Sequence, residues 1–523
     1  MSSDAPWWRG ATVYHIYVRS FYDSNGDGQG DLPGVLAKLD YIKSLGVDAI
    51  WLSPVHPSPN RDWGYDVSDY KGVQPDYGTE ADLKALVDAA HAKGLKVLLD
   101  EVLAHTSDEH AWFRDALAGG EKSDWYVWAP LKDDGTAPNN WLAVFGGPAW
   151  AYAPGRRLAY HHKFLKVQPK LNWRNPDAKA AALAVLDYWL GQGIDGFRLD
   201  VANAFLHDDR LRDNPVDPSR GGHRWSAAAN FQLHYNDANL PENIALLDET
   251  RRVVDRHPDR FVFGEFSEEA ERCGGFASPT EGLHAGYSFP LLIAHRMGPD
   301  FILKHFADLA RYPDHWPCIS FCNHDIPRTA SRFGDGSPNS EKPVAKLMLA
   351  LLLSLRGTIL VYQGEELGLP EADLTREQLR DPVGDLYWPV HKGRDGCRTP
   401  IPWGPGENLG FSTGQPWLPV APEHEGLTVA AQEADPDSTL AFSRALLAAR
   451  QGSDALRLGD IVFRESPAPL LAFERSHGGE RWLCQFNMSG EATAASSEGE
   501  TVLATGEITE GRLGPYAARL SRL

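Results

Sequence analysis

Three acidic residues, Asp200, Glu265 and Asp325, each follow a short apolar segment of the chain. Asp200 ends the run G-F-R-L-D, and the alternation of side chains along a strand puts the Arg198 guanidinium on the same face as the carboxylate. A neighbouring Arg favours the ionised form of an acid, so we expect Asp200 to have a low pKa and to be a competent nucleophile. An ion pair that only fixes the strand is the alternative interpretation, because structural ion pairs also perturb pKa values.

The segments that carry these acids belong to a repeated strand and helix pattern. Apolar runs predict strands over residues 12–21, 47–54, 96–105, 193–203, 261–266, 284–289, 318–325 and 358–365. Helical periodicity and capping signals predict helices over 32–46, 79–94, 176–193, 242–257, 341–357 and 439–451. Repeated units of this kind predict parallel strands, and eight of them predict an α/β fold, a closed (β/α)8 TIM barrel. Catalytic side chains of such barrels lie at the carboxyl ends of the strands, where the three acids stand.

Two segments do not fit the alternation. Residues 106–173 form a long aromatic excursion, rich in Gly and Pro, after the third strand, and its length predicts an inserted domain. Residues 454–523 carry short alternating runs with turn residues between them, which predict a C-terminal β-sandwich. The catalytic barrel is therefore expected to comprise residues 1–105 and 174–453.

Composition restricts the partners. The chain has 523 residues and a formal net charge of -20, which argues against nucleic acid and anionic membranes as partners. The first ten residues have neither a basic nor an apolar signal region, and no apolar run reaches membrane-spanning length. Five cysteines without metal-ligand spacing predict reduced thiols. We expect a cytoplasmic monomer or homodimer that binds a small neutral ligand.

Four motifs together resemble one family. D-E-V-L-A-H, G-F-R-L-D-V-A-N, F-G-E-F and F-C-N-H-D resemble, in this order, the signature regions of the alpha-amylase family, glycoside hydrolase family 13. P-N-N-W-L-A-V-F-G-G and G-R-D-G-C-R-T-P resemble its exo-acting alpha-glucosidase branch. Val201, directly after Asp200, resembles the residue of oligo-1,6-glucosidases, where alpha-1,4-preferring relatives carry Ala or Thr. We expect its side chain on the strand face opposite to Asp200.

The resemblance assigns a role to each acid. It implies that Asp200 is the nucleophile, Glu265 the general acid and base, and Asp325 a carboxylate that stabilises the transition state, as a retaining glycosidase requires. Substrate contacts are implied for Asp62, Tyr65, His105, Phe145, Phe164, Arg198, His324 and Arg398. Asp62 and Arg398 are expected to close the pocket around the terminal glucose. Taken alone, the two histidines are also compatible with ordinary strand-end residues, and the two phenylalanines with core residues.

The implied activity is that of a retaining exo-alpha-glucosidase. Such an enzyme releases alpha-glucose from the non-reducing end of maltose- and isomaltose-type oligosaccharides, with sucrose as a further candidate substrate and with some transglucosylation. A glucosyl transferase or isomerase of the same family, acting on trehalose or sucrose, is the alternative within enzymes. A non-catalytic homologue is an alternative of a different class, which the presence of all three acids disfavours.

One loop has the composition of a cation site. D-S-N-G-D-G-Q-G-D places oxygen-bearing side chains at alternate positions, as in a calcium loop, although position twelve is Gly34 rather than Glu. The resemblance implies structural Ca²⁺ or Mg²⁺ held by Asp23, Asn25, Asp27, the Gln29 carbonyl and Asp31; an empty Asx-turn loop is the alternative. No organic cofactor is expected. Ala104 and Lys170 replace an Asn and an Asp of the family, so no metal is expected between the barrel and the inserted domain.

Overall fold

The eight predicted barrel strands form a closed parallel barrel. The computed structural model describes residues 5–220, 228–266 and 275–523. Around the barrel each strand pairs with its neighbours in the chain, and the last strand closes onto the first. The strands are β1 (Thr12–Ile16), β2 (Ala49–Leu52), β3 (Lys96–Glu101), β4 (Gly196–Leu199), β5 (Phe261–Gly264), β6 (Ala285–Tyr287), β7 (Pro317–Ile319) and β8 (Thr358–Tyr362). The predicted α/β fold class is confirmed.

The strands are shorter than the apolar segments that predicted them. A 3-10 turn over Val18–Ser20 follows β1, and β7 ends at Ile319, although the apolar segment continues to Asp325. Asp200 and Glu265 directly follow β4 and β5, whereas Asp325 lies in the loop beyond β7. For β4, the parallel pairing with β3 and with β5 ends at Leu199, directly before Asp200.

Helices surround the barrel. Those that follow the first four strands are Leu32–Ala37, Leu39–Leu45, Glu80–Ala92, Ala111–Ala118, Pro176–Gly191 and Asn243–Val254. The later ones are Phe289–Leu292, Pro299–Leu309, Thr329–Arg332, Pro338–Ser354, Pro382–Tyr387, Val429–Glu433 and Thr439–Gln451. Thr79 and Asp82 form the predicted capping box of the third helix. The helix expected over 32–46 is divided at Lys38 and ends at Gly46, whose φ of 91° is the left-handed conformation that favours glycine. Within the described residues, none of the helices has the length and apolar character needed to span a membrane.

The period of two along the strands divides their side chains between two cores. Val13, Trp51, Leu98, Phe263 and Tyr287 belong to the cluster inside the barrel. Their chain neighbours, such as Tyr14 and Ile50, belong to the large cluster that also contains the helices. The same alternation turns His15, Asp100 and Arg198 inward.

The two segments outside the alternation form sheets of their own. In the excursion, Trp128–Ala129, Leu158–His161 and Trp150–Ala153 form an antiparallel sheet. At the C-terminus, helix Asp454–Arg457 precedes a sheet of Asp460–Phe463, Leu470–His477, Glu480–Asn487, Ala518–Arg522 and Glu500–Thr505, and a second sheet of Thr493–Ala494, Arg512–Leu513 and Ile508–Thr509. The C-terminal β domain matches the fold expected from the sequence. Cys318, Cys322, Cys397 and Cys484 are free thiols, and Cys273 lies outside the described residues.

Candidate active site

Arg198 is the centre of a buried group of acids at the carboxyl end of the barrel. Its Nη1 donates to Oδ1 of Asp100 and to Oδ1 of Asp200, each at 2.8 Å. Its Nη2 lies 2.7 Å from Oε2 of Glu265. Asp100 and Arg198 are register partners on β3 and β4, which explains why they meet. One guanidinium therefore joins three carboxylates from three adjacent strands.

This shared cation changes the expected charge of Asp200. Burial raises the pKa of Asp200 well above its usual range; Arg198 opposes the shift, and the carboxylates of Glu265 and Asp100 add to it. Burial likewise raises the pKa of Asp100 to about 6. The expectation that Arg198 alone keeps the pKa of Asp200 low was wrong, because desolvation is the larger effect. Desolvation therefore opposes simultaneous ionisation of the acids around Arg198, and a retaining site needs only one of its two reacting carboxyls ionised.

Asp325 has a different environment. Arg398 Nη2 donates to its Oδ1 at 2.9 Å, Arg394 Nη1 donates to the same oxygen at 3.2 Å, and His324 Nε2 lies 3.3 Å from its Oδ2. Burial alone would raise the pKa of Asp325, but the guanidinium groups of Arg394 and Arg398 hold it well below its usual range. Asp325 is thus an anion at neutral pH, and its carboxylate can stabilise a positive charge that develops nearby.

Asp62 is held by Arg394 rather than by Arg398. Arg394 Nη2 donates to Asp62 Oδ1 at 2.7 Å and to Asp381 Oδ1 at 2.8 Å. Arg398 donates instead to the Asp325 carboxylate and to the main-chain carbonyl of residue 324. Gln168 Nε2 donates to the other oxygen of Asp62 at 2.9 Å. Asp62 is 4% exposed, so this ion pair forms a buried wall beside the acids.

The predicted aromatic contacts stand next to this wall. Tyr65 donates its hydroxyl to Asp100 Oδ2 at 2.9 Å, and its ring stacks on His324 with centroids 5.1 Å apart. Tyr17 stacks on His324 as well, with centroids 5.7 Å apart. Burial lowers the pKa of His324 to about 3, so the imidazole between the two tyrosine rings is neutral.

His105 and the two phenylalanines form the side towards the inserted segment. His105 Nε2 donates to the Tyr65 carbonyl at 2.9 Å, which leaves Nδ1 as a hydrogen-bond acceptor. Burial lowers the pKa of His105 to about 4. Phe164 lies 5.4 Å from His105, Phe145 lies 5.7 Å from Phe164, and the Arg394 guanidinium lies 5.1 Å from the Phe145 ring. All eight predicted substrate residues thus belong to one connected group of contacts with the acids.

Four members of this group were not identified from the sequence: Asp100, Gln168, Asp381 and Arg394. Asp100 and Arg394 stand inside the motifs D-E-V-L-A-H and G-R-D-G-C-R-T-P, and Gln168 stands two positions before Lys170. A charged or amide side chain in such a motif is the signal that would have suggested them. Asp381 follows no motif, and only its contact with Arg394 connects it to the site.

Val201 does not continue the strand. Its φ of 38° and ψ of 46° are left-handed, so the expectation of a side chain on the opposite strand face was wrong. This conformation is strained for a β-branched residue. It directs the Val201 N–H to Glu265 Oε2 at 3.2 Å, so the residue after Asp200 contacts the second acid through its backbone.

The predicted cation loop is folded by Asx turns. Asp23 Oδ1 accepts the N–H groups of Asn25 at 3.0 Å and Gly26 at 2.7 Å, and Asp27 Oδ1 accepts that of Gln29 at 2.8 Å. Asp31 Oδ1 accepts the N–H of residue 34 at 2.6 Å. In the part of the chain that the structure describes, no group of three or more His, Cys, Asp or Glu side chains is arranged around a metal position. The oxygen donors are nevertheless of the type that Ca²⁺ and Mg²⁺ prefer, and the cation remains a prediction.

A buried cationic side chain lies between the barrel and the inserted segment. Lys170 is 2% exposed, and its Nζ donates to the Ala204 carbonyl in the loop after Asp200. Burial and the neighbouring Lys163 lower the pKa of Lys170 to about 7, with Asp237 opposing the shift.

Comparison with known proteins identifies the family. The model of the alpha-amylase catalytic domain matches residues 15–459. The chain belongs to the alpha-amylase family. A probable alpha-glucosidase from Rhizobium meliloti strain 1021 is 47% identical, with 94% of this chain and 91% of the relative covered. An oligo-1,6-glucosidase from Parageobacillus thermoglucosidasius is 33% identical, with 99% of both chains covered.

Solved structures agree with this placement in the alpha-amylase family. The crystal structure of an alpha-glucosyl transfer enzyme has a TM-score of 0.94 at 44% identity, with 99% of this chain and 100% of the other covered. The trehalulose synthase from Pseudomonas mesoacidophila MX-45 has a TM-score of 0.91 at 31% identity, with 99% of both chains covered. The relatives named alpha-glucosidase and oligo-1,6-glucosidase make this alpha-amylase family member a glycoside hydrolase.

Proposed function

We propose that the protein is a retaining exo-alpha-glucosidase that releases alpha-glucose from the non-reducing end of short maltose- and isomaltose-type oligosaccharides. The observation that carries the proposal is the buried ion pair of Asp62 and Arg394, 2.7 Å apart, beside the acids around Arg198. In this proposal, the ion pair of Asp62 and Arg394 closes the sugar site on the side that binds the non-reducing end. A chain end can then enter the site, but a long chain cannot pass through it.

The first step uses Asp200 and Glu265. Glu265 protonates the glycosidic oxygen while Asp200 attacks the anomeric carbon, so the aglycone leaves and a glucosyl ester forms on Asp200. Both carboxylates are held by neighbouring nitrogens of Arg198, which favours the separation of about 5 to 5.5 Å typical of retaining enzymes.

The second step reverses the role of Glu265. Ionised Glu265 removes a proton from water, and the water oxygen attacks the anomeric carbon of the ester, which frees Asp200 and gives alpha-glucose. Asp325 is an anion in both steps, because Arg394 and Arg398 hold its pKa low, and it stabilises the oxocarbenium character of each transition state.

Asp200→Asn tests the proposal, with the product mixture from maltose, isomaltose, sucrose and trehalose as the readout. We expect wild type to release glucose, and the variant to fold but to keep less than about a hundredth of the wild-type turnover, since an amide cannot attack as an anion. Greater residual turnover in a folded variant would refute the role of Asp200.

A glucosyl transferase or isomerase is the second candidate, supported by the similarity to an alpha-glucosyl transfer enzyme and to a trehalulose synthase. Both activities pass through the same ester and differ in whether water or a sugar hydroxyl attacks it. Sucrose separates them: free glucose and fructose in equal amounts indicate hydrolysis, whereas a rearranged disaccharide or a longer oligosaccharide indicates transfer.

For the loop over residues 23–31 we propose a structural Ca²⁺ or Mg²⁺. Asp23, Asn25, Asp27 and Asp31 would supply side-chain oxygens and Gln29 its carbonyl oxygen. The ion would stabilise the loop without taking part in the reaction.

A further inference from the structure

A tryptophan inside the barrel lies beneath Arg198. Trp51 is on β2, is 0% exposed and belongs to the interior cluster. The Arg198 guanidinium carbon lies 5.5 Å from the centroid of the Trp51 ring, within the range of a cation–π contact. Phe263 meets the indole edge-on, with centroids 5.7 Å apart and an interplanar angle of 90°. Trp51 is not among the residues that the sequence motifs identified.

His15 fixes the indole on β1. The two rings are stacked, with centroids 3.6 Å apart and an interplanar angle of 10°. His15 Nε2 is within hydrogen-bond distance, 3.0 Å, of the Ser53 hydroxyl, and Ser53 directly follows the strand that carries Trp51. His15 is 1% exposed, so neither ring has room to turn without displacing the other. The orientation of the indole is therefore set by two strands of the barrel.

Two of the acids that contact Arg198 change charge during the proposed reaction, whereas Asp100 and the Tyr65 ring, 5.9 Å from the guanidinium carbon, do not. Asp200 becomes a neutral ester, and Glu265 loses and regains a proton, so two of the three acids stop being constant anions. The negative face of an indole does not depend on protonation. Trp51 is thus a partner of Arg198 whose attraction is the same in every step.

We propose that Trp51 is a positioning residue for Arg198, held in place by the His15 stack. Its function is to keep the guanidinium between Asp200 and Glu265 when the charge on either acid changes. This inference rests on the proposed function, in which Asp200 and Glu265 carry out the chemistry.

The test compares Trp51→Leu with Trp51→Phe. For each variant, kcat, KM and the pH profile of kcat/KM are measured with p-nitrophenyl alpha-glucoside, after circular dichroism has shown that the variant is folded. The acid limb of kcat/KM reports the essential base of the free enzyme, which is Asp200 in the proposal.

For Trp51→Leu we expect a fall of about tenfold in kcat with a much smaller change in KM, in line with the loss of a desolvated cation–π contact. The acid limb should move to higher pH, because Arg198 lowers the pKa of Asp200 and a displaced Arg198 lowers it less. Trp51→Phe keeps an aromatic face and should stay close to wild type in both respects. Trp482→Leu removes another fully buried tryptophan, in the C-terminal domain, and should reduce thermal stability without moving the acid limb.

An unmoved acid limb with wild-type kcat in folded Trp51→Leu would overturn the inference, as would an equal loss in Trp51→Leu and Trp51→Phe. If Trp51→Leu does not fold, His15→Gln and His15→Phe take its place. His15→Gln removes the stacked ring and should move the acid limb of kcat/KM. His15→Phe keeps a ring and should move the acid limb less. Equal limbs in these two variants would also overturn it. Asp200→Asn separates the two proposals. If Asp200→Asn is active, the proposed function is refuted. If Asp200→Asn is inactive but the acid limb of kcat/KM does not move in Trp51→Leu, only the role of Trp51 is refuted.

Discussion

Replacing Lys170 by Met should make the stability of the protein depend on pH in a new way. Lys170 is 2% exposed, donates to the Ala204 carbonyl, and has its pKa lowered from 10.5 to about 7 by burial and by Lys163. Each pKa unit corresponds to about 1.4 kcal/mol, so holding this ammonium charged inside the fold costs on the order of 4 to 5 kcal/mol. Losing the hydrogen bond to the Ala204 carbonyl costs about 1 to 3 kcal/mol. At pH 6 we therefore expect Lys170→Met to stabilise the protein by roughly 2 kcal/mol.

The sign of the pH dependence follows from proton binding. Above pH 7 the folded chain holds Lys170 neutral, whereas the unfolded chain keeps its proton up to about pH 10.4. The unfolded state then binds more protons, so the contribution of Lys170 to the free energy of unfolding rises with pH by about 1.4 kcal/mol per unit. The advantage of Lys170→Met should consequently shrink by about 3 kcal/mol between pH 7 and pH 9.

Urea denaturation of wild type and Lys170→Met from pH 6 to pH 9 measures this difference. Lys84→Met is the matched control, because Lys84 is exposed and should give a difference from wild type that is independent of pH over this range. A constant difference for Lys170→Met as well would refute the reasoning. It would mean that the Ala204 carbonyl and Asp237 keep the buried ammonium charged.

Three further predictions concern the reaction and the loop. Proton NMR of a fresh hydrolysis should show alpha-glucose first, because double displacement retains the anomeric configuration, and initial beta-glucose would exclude it. Treating metal-replete protein with EDTA should lower the melting temperature but leave turnover at low temperature intact, since the loop of residues 23–31 is remote in the sequence from the strands that carry the acids. Superimposable melting curves would count against the cation. Val201→Thr should shift the kcat/KM ratio of maltose to isomaltose towards maltose by an amount within about 1 to 3 kcal/mol, and a ratio that stays within about a factor of two would place linkage choice elsewhere.

The sequence was sufficient for the features that depend on local pattern. The spacing of Thr79 and Asp82 predicted a capping box that the structure contains. The apolar runs before Asp200 and Glu265 predicted strands that lead up to these acids. In the structure both acids directly follow their strands. Alternating strand and helix signals were then enough to predict the closed parallel barrel.

Features that depend on contacts between distant segments were not predictable in this way. Arg394 and Arg398 stand four positions apart in one motif, and the sequence does not show which of them pairs with Asp62. The structure shows that Arg394 donates to the Asp62 carboxylate. Burial of Asp200 by several strands outweighs the local influence of Arg198 on its pKa. Val201 takes a left-handed conformation two residues after β4 ends, which no local pattern indicates.

The central claim is that Asp200 forms a covalent bond to glucose. Incubation with 5-fluoro-alpha-glucosyl fluoride, followed by proteolysis and mass spectrometry, tests it most directly, because the fluorine slows hydrolysis of the ester and lets it accumulate. We predict one sugar label, on Asp200, and its absence from Asp200→Asn. A label on Glu265, on Asp325 or on any other residue would contradict the mechanism, as would steady turnover of the reagent without any labelled peptide.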